Sequence, residues 1–297
     1  MHPALVLLPD FLLILCGFAL RRSGFISAAF LAEAERFIYF ILFPPLLFRA
    51  LAHATLDIAA SVPMLAAGLL FTVAAFLLGS AAKPLFKLPQ PSFAAGNQGA
   101  YRFNSYVAFA VMGALAGEPG IATIALLCGA MVPIVNLFAV WQLAHGSGRG
   151  MGHELIRNPI IWGISSGLAA NLAGLAIPAP LFAAISHLAD AALPLGLITV
   201  GAGLRFEALR RFAAPLLYWN GIKLLVAPLI ALAAAQLLGI SGLYRQALLV
   251  MSMLPTATSA YILAVRMQGD GKLAAAVVTS STLAAMLTMP LLLSWLQ

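Results

Sequence analysis

The residues of this chain best suited to binding a ligand carry no charge. Asn104 and Ser105 in one apolar stretch, and Thr256, Thr258 and Ser259 directly after Pro255 in another, set amide and hydroxyl donors among Ala, Leu, Val and Ile. A small anion such as a carboxylate takes donors of this kind. A helix interrupted at the same point adds the backbone N–H groups that open its second half. Asn136, three residues beyond Pro133, either lines the same cavity or satisfies a carbonyl freed by that proline. The competing reading of each hydroxyl is interhelical glue, worth about 0.6 to 2 kcal/mol per group. That reading is preferred for any single Ser or Thr, and the binding reading for Asn104.

Charged residues inside apolar stretches are few. Asp10 and Asp190 are candidates for ion coupling, each with an insertion cost of about 2.5 to 3.5 kcal/mol if central in a bilayer; an interfacial position avoids that cost and is the preferred account. Arg102 and Lys223 are expected to snorkel to headgroups, against the alternatives of drawing an anion inward or acting as a buried countercharge. The run Gly163-Ile164-Ser165-Ser166-Gly167, with His187 downstream, matches G-x-S-x-G. That motif requires a strand-to-helix elbow, and here its glycines offer a small-residue packing face instead. His2, His53, His145 and His153 lack metal-ligand spacing. No enzyme signature, cofactor site or metal site is expected, while sodium or proton coupling is left open.

The elements that must hold these residues follow from composition. Charged residues are 8% of 297 positions and hydrophobic ones 63%, which leaves a soluble globule too little polar surface. Ten apolar stretches of bilayer length fall near 4 to 20, 31 to 51, 58 to 80, 100 to 116, 120 to 143, 158 to 176, 182 to 203, 214 to 238, 244 to 266 and 272 to 296. The first reads as a retained helix, not a cleaved signal peptide. Cys16 and Cys128 lie in apolar stretches, where a thiol acts as a small hydrophobe.

If the spans alternate in direction, Arg21, Arg22, Arg36, Lys83, Lys87, Arg149, Arg157, Arg205, Arg210, Arg211 and Lys272 share one side, against Arg49 and Arg245 on the other. Basic residues collect on the cytoplasmic face. Both termini are therefore expected outside, and the net charge of +7 reports topology, not nucleic-acid binding.

Offset by 150, Gly17 meets Gly167, Gly24 meets Gly174 and Pro44 meets Pro194; offset by 152, Gly117 meets Gly269. The near-constant shift of half the chain indicates a five-span repeat, residues 1 to 150 and 151 to 297. Five being odd, the second copy enters the membrane inverted. Pro255 breaks span 9, and the repeat sets Asn104 opposite Thr256 and Phe103 in place of the proline, so span 4 must bend without one.

Together, Arg102-Phe103-Asn104-Ser105-Tyr106, Val132-Pro133-Ile134-Val135-Asn136, Asn158-Pro159, Ala192-Leu193-Pro194-Leu195-Gly196-Leu197 with Gly201-Ala202-Gly203-Leu204, and Leu254-Pro255-Thr256-Ala257-Thr258-Ser259-Ala260-Tyr261 resemble the auxin efflux carrier family, particularly its bacterial branch. The resemblance covers essentially the whole chain. It implies an all-α polytopic membrane protein of two inverted five-helix halves, with spans 1, 2, 6 and 7 as scaffold and spans 3 to 5 and 8 to 10 as transport domain. It also implies crossing, discontinuous spans 4 and 9 at the substrate site, and often a homodimer through the scaffold. The implied substrate is a small organic anion of the malonate or malate kind, moved across a bacterial inner membrane by alternating access. Plant auxin specificity is not carried over. A channel, a ligand sensor and, furthest off, an intramembrane serine hydrolase are the rival readings.

Overall fold

The computed structural model describes residues 3–54, 57–144 and 159–296, and among these every regular element is a helix. In chain order they are α1 (Pro3–Arg22), α2 (Ala28–Phe37), α3 (Phe43–Ala52), α4 (Ile58–Ser80), α5 (Ala82–Leu85), α6 (Gln90–Tyr101) and α7 (Ser105–Leu143). The second half adds α8 (Pro159–Leu172), α9 (Ala179–Ala202), α10 (Ala213–Gly221), α11 (Ala227–Leu237), α12 (Gly242–Met253), α13 (Ser259–Arg266) and α14 (Gly271–Leu296).

Proline dictates much of the local geometry. The π-turn Ile38–Leu42 joins α2 to α3 just ahead of Pro44 and Pro45, and the π-turn Ile222–Val226 joins α10 to α11 ahead of Pro228. A proline ring clashes with the carbonyl four residues back and offers that carbonyl no N–H. A local i to i+5 pattern widens the turn and relieves both.

Two helices are interrupted outright. Between α12 and α13 the chain is non-helical over 254–258, and Leu254, held ahead of Pro255, is extended at φ −63, ψ 144. Between α6 and α7 the break is 102–104 and contains no proline: Arg102 is extended at φ −75, ψ 152 and Asn104 at φ −88, ψ 106. Span 4 therefore bends without a proline, as anticipated. Its beginning departs from expectation, since helix starts at Gln90 and not near residue 100. Gln90, Asn97, Gln98 and the intervening glycines gave this segment the look of a loop. It is an interior helix, with every residue from Phe93 to Tyr101 buried. Some of its polar groups are met inside, Asn97 Nδ2 donating to Ser80 Oγ and Gln142 Oε1 at 3.2 Å each, while Asn97 Oδ1, Gln98 Oε1 and the Tyr101 hydroxyl are buried without a partner.

α7 doubles back at Gly117, whose φ 59, ψ −149 only glycine adopts readily. A Cβ on Gly120 would meet the Met112 carbonyl, although eight residues of straight helix span about 12 Å. Six of the seven positive-φ residues among those described, all but Gly242, fall in pairs at nearly constant spacing: Gly24 with Gly174, Lys87 with Gly239, and Gly117 with Gln268 are 150, 152 and 151 positions apart.

Some helices touch backbone to backbone. A Cβ on Gly17 of α1 would strike the Ile198 carbonyl of α9, and one on Gly201 of α9 the Ile14 carbonyl of α1. Gly163 and Gly167 of α8 lie likewise against Pro44 and Phe48 of α3. A second set packs around the breaks: α4 on α6 and α11, α14 on α6, and α12 on α7.

Large apolar side chains including Phe30, Leu70, Leu77, Trp162, Leu217, Leu229 and Leu287 stand exposed on the outside, a surface suited to lipid and not to water. Five helical stretches among the described residues are long and apolar enough to cross a bilayer unaided: Ser61–Leu85, Gln90–Leu143, Ala179–Ala202, Ala213–Leu237 and Gly271–Ser294. The chain is thus an all-helical membrane protein. The ten separate stretches read from the sequence are not recovered as ten such helices: Gln90–Leu143 takes in the fourth and fifth together, and the first, second, sixth and ninth are not among the five.

Candidate functional site at the helix breaks

The two interruptions meet. The Asn104 N–H donates to the Pro255 carbonyl at 2.8 Å, Thr256 Oγ1 donates to the Gly99 carbonyl at 3.2 Å, and the Thr256 N–H donates to Ser281 Oγ at 3.0 Å. Each break thereby satisfies backbone groups freed in the other. Asn104, which the half-chain offset set opposite Thr256, thus bonds to the residue before it.

Asn104 performs two tasks. Its Oδ1 caps α7, accepting from Tyr106 N–H at 3.0 Å and Val107 N–H at 3.4 Å, the usual use of Asn at a helix N-terminus. Its Nδ2 is buried without an acceptor while the residue is 1% exposed. A buried donor left unmet costs about 1 to 3 kcal/mol, so this amide is set to receive an acceptor.

The charge pattern favours an anion. The N-termini of α7 and α13 bring partial positive charge toward the breaks, and the C-termini of α6 and α12 partial negative charge. Arg102 belongs to this group: it is 6% exposed and its Nη2 donates to Ser259 Oγ at 3.0 Å. The expectation that Arg102 snorkels to headgroups is thus corrected. A guanidinium lying in one break and bonded to the first residue of the helix after the other is held in the interior. Lys223 is corrected similarly, since at 1% exposure its ammonium does not reach an interface.

The other sequence candidates are less central. Ser105 is half-buried at the start of α7, and Thr258 is half-buried at the start of α13 without capping it. Asn136 is half-buried on the returning limb of α7, and the hydrogen bonds that join the breaks do not include it. Arg149, Arg157, Asn158, His2, His145 and His153 lie outside the described residues.

Asp190 is engaged elsewhere. Arg49 Nη1 pairs with Asp190 Oδ1 at 2.7 Å and Arg49 Nη2 with Glu118 Oε1 at 2.9 Å, tying α3 to α9 and to the reversal of α7. Sequence reasoning counted Arg49 only as a loop charge and passed over Glu118. The available signal was Glu118 beside Gly117, at the turn between two apolar stretches. Asp10 faces a cavity of about 420 Å³ between α1, α7 and α9, lined also by Gly113, Gly117, Glu118 and Pro194. None of the residues that join the breaks lines it, and Asp10 Oδ2 is buried there without a partner.

The G-x-S-x-G run is helical. Ser166 Oγ donates back to the Trp162 carbonyl at 2.7 Å, and Ser165, Ser166 and His187 all lie on exposed surface. Ser166→Ala is expected to leave folding and activity within about twofold of wild type, since surface changes of this kind stay within roughly 0.5 kcal/mol; thermal melting and transport assays check it. No group of three or more His, Cys, Asp or Glu among the described residues is arranged to hold a metal.

Comparison with known proteins agrees with the motifs. The family described as "Membrane transport protein" matches residues 149–293. A Methanothermobacter thermautotrophicus protein named "Uncharacterized transporter" is 30% identical over 154 residues, 50% of this chain and 50% of its own length. A Rhizobium meliloti protein named "Putative malonate transporter" is 28% identical over 165 residues, 49% of this chain and 52% of its own. The chain spans about half the length of the curated relatives it matches. Over about half of the chain these matches bear out the family resemblance, and both relatives are named as transporters.

Proposed function

We propose that this chain is a secondary carrier that binds a small organic anion, of the malonate or malate kind, where the two helix breaks meet. The observation that carries this reading is the Asn104 amide, capped onto α7 through Oδ1 while Nδ2 is buried with no acceptor. A substrate carboxylate is its natural partner, with Arg102 and the N-termini of α7 and α13 supplying positive potential. The relative named for malonate supports this substrate class.

In this reading the chain forms ten spans in two inverted five-helix repeats, with boundaries near residue 150 and both termini outside a bacterial inner membrane. The paired left-handed residues 150 to 152 positions apart support the repeat. The close seams of α1 with α9 and of α3 with α8 support a rigid scaffold, against which the helices around the breaks move to give alternating access. A homodimer through that scaffold belongs to the same proposal. Of the two coupling candidates Asp10 is retained, since its carboxylate faces a cavity while Asp190 is held by Arg49.

The test is counterflow: proteoliposomes loaded with unlabelled malonate or malate are diluted, and transient uphill accumulation of the labelled form is followed. Accumulation identifies a carrier. Flux that never overshoots equilibrium identifies a channel, and binding without flux a sensor. Pro255→Ala is expected to reduce the counterflow rate about tenfold, because a restored N–H favours continuous helix through 254–258 and turns the residue 255 carbonyl into the helix ladder and away from Asn104. Unchanged kinetics would show that the hydroxyls suffice without the break.

A further inference from the structure

Lys223 is a buried charge that the contacts between the breaks leave unused. It is 1% exposed, and among the described residues no carboxylate pairs with it. The sequence contains no Asp or Glu from residue 58 to 117 or from 208 to 269, so the helices around it offer no countercharge. An ammonium kept in such a place needs a partner of another kind.

Its position identifies that partner. A Cβ on Gly96 of α6 would meet the Trp219 ring, and one on Gly99 would lie 3.6 Å from Trp219 Cβ. Helical side chains lean toward their own N-terminus, so α10 and α6 run in the same direction. One turn beyond Trp219, the Lys223 backbone is therefore level with the 102–104 break, and its side chain leans back over the last turn of α6. The π-turn that carries it packs on both α6 and α12, the two helices whose C-termini end at the breaks. Helix C-termini present unmet carbonyls and partial negative charge, which in broken-helix carriers is where a coupling cation is held.

We infer that the Lys223 ammonium is a tethered cation occupying the position created by these two helix C-termini, so that the anion is bound without recruitment of sodium. This rests on the carrier reading for its transport consequence, though not for its binding consequence. The ammonium holds the C-terminal ends of α6 and α12 together while their continuations, α7 and α13, present N-termini to the anion.

The experiment uses the full-length protein as wild type, Lys223→Met and Lys223→Ala. Wild-type counterflow should agree within twofold in sodium and choline media. Lys223→Met should lose counterflow at least tenfold while its thermal midpoint in detergent is unchanged or raised, because an apolar chain of similar length needs no countercharge; a lysine with only a structural role would lose both together. Lys223→Ala should gain a thermal shift of about 2 to 4 °C in n-propylammonium chloride or sodium chloride over choline chloride that wild type lacks. Sodium-dependent wild-type counterflow, a Lys223→Met protein that exchanges normally, or a Lys223→Ala protein indifferent to both cations each overturns the inference. If wild type shows no counterflow with any carboxylate in either medium, it is the carrier reading that fails. The thermal comparison needs no substrate and still decides the role of Lys223.

Discussion

Asn104→Asp is expected to abolish malonate counterflow, with a loss of about 100-fold or more, in a protein that folds and inserts as wild type does. Aspartate is as good an N-cap as asparagine, and its charge is favourable at the start of α7, so the bonds to the Tyr106 and Val107 N–H groups persist. What disappears is the Nδ2 donor, and a hydrogen bond to a charged group contributes about 1.5 to 3 kcal/mol, or roughly 10- to 150-fold. What is added is a negative charge where the substrate carboxylate must sit. Asn104→Ala is a less discriminating variant, because it also removes a cap worth about 1 kcal/mol. Melting temperature and counterflow measured on the same preparation separate the two effects. Normal flux in Asn104→Asp would remove Asn104 from the site.

The largest structural effect is expected at the seam between α1 and α9. A Cβ on Gly201 would overlap the Ile14 carbonyl oxygen, and backbone on both sides leaves no flexible side chain to yield. Overpacking of this sort costs about 3 kcal/mol or more when backbones must separate. Gly201→Ala should therefore melt about 6 to 10 °C below wild type, or fail to accumulate in the membrane. Gly221→Ala is the control, since nothing lies within 4 Å of a Cβ there and alanine favours helix; it should melt at or slightly above the wild-type temperature. Equal melting of the two variants would mean that the α1–α9 seam is loose.

Much of this was legible in the sequence because hydrophobicity and proline act locally. The apolar stretches and the break at Pro255 follow from residue type, and the half-chain offset drew attention to Asn104. The first half of span 4 did not, because Gln90, Asn97 and Gln98 are polar in a pattern that hydrophobicity assigns to a loop. Their partners, Ser80 and Gln142 among them, lie on other helices. Arg102 and Lys223 were misplaced for a related reason. Snorkelling is the default for a lone cation in an apolar stretch, and what overrides it here is tertiary: Ser259 for Arg102 and, by inference, two helix ends for Lys223. The Arg49 tie joins residues 69 and 141 positions apart in the chain, beyond the reach of any local pattern.

The two breaks differ in kind. At 254–258 the interruption is written into residue type: Pro255 has no N–H to give, so helix there always lacks one ladder hydrogen bond. At 102–104 each residue keeps its N–H, and the chain is held open by what Asn104 touches, the Pro255 carbonyl on one side and the α7 amides on the other. The first interruption rests on residue type and the second on contacts. A backbone path that looks evenly divided is therefore uneven in its stiffness. The half that contains Phe103 keeps every N–H a helix needs, while the half that contains Pro255 lacks one.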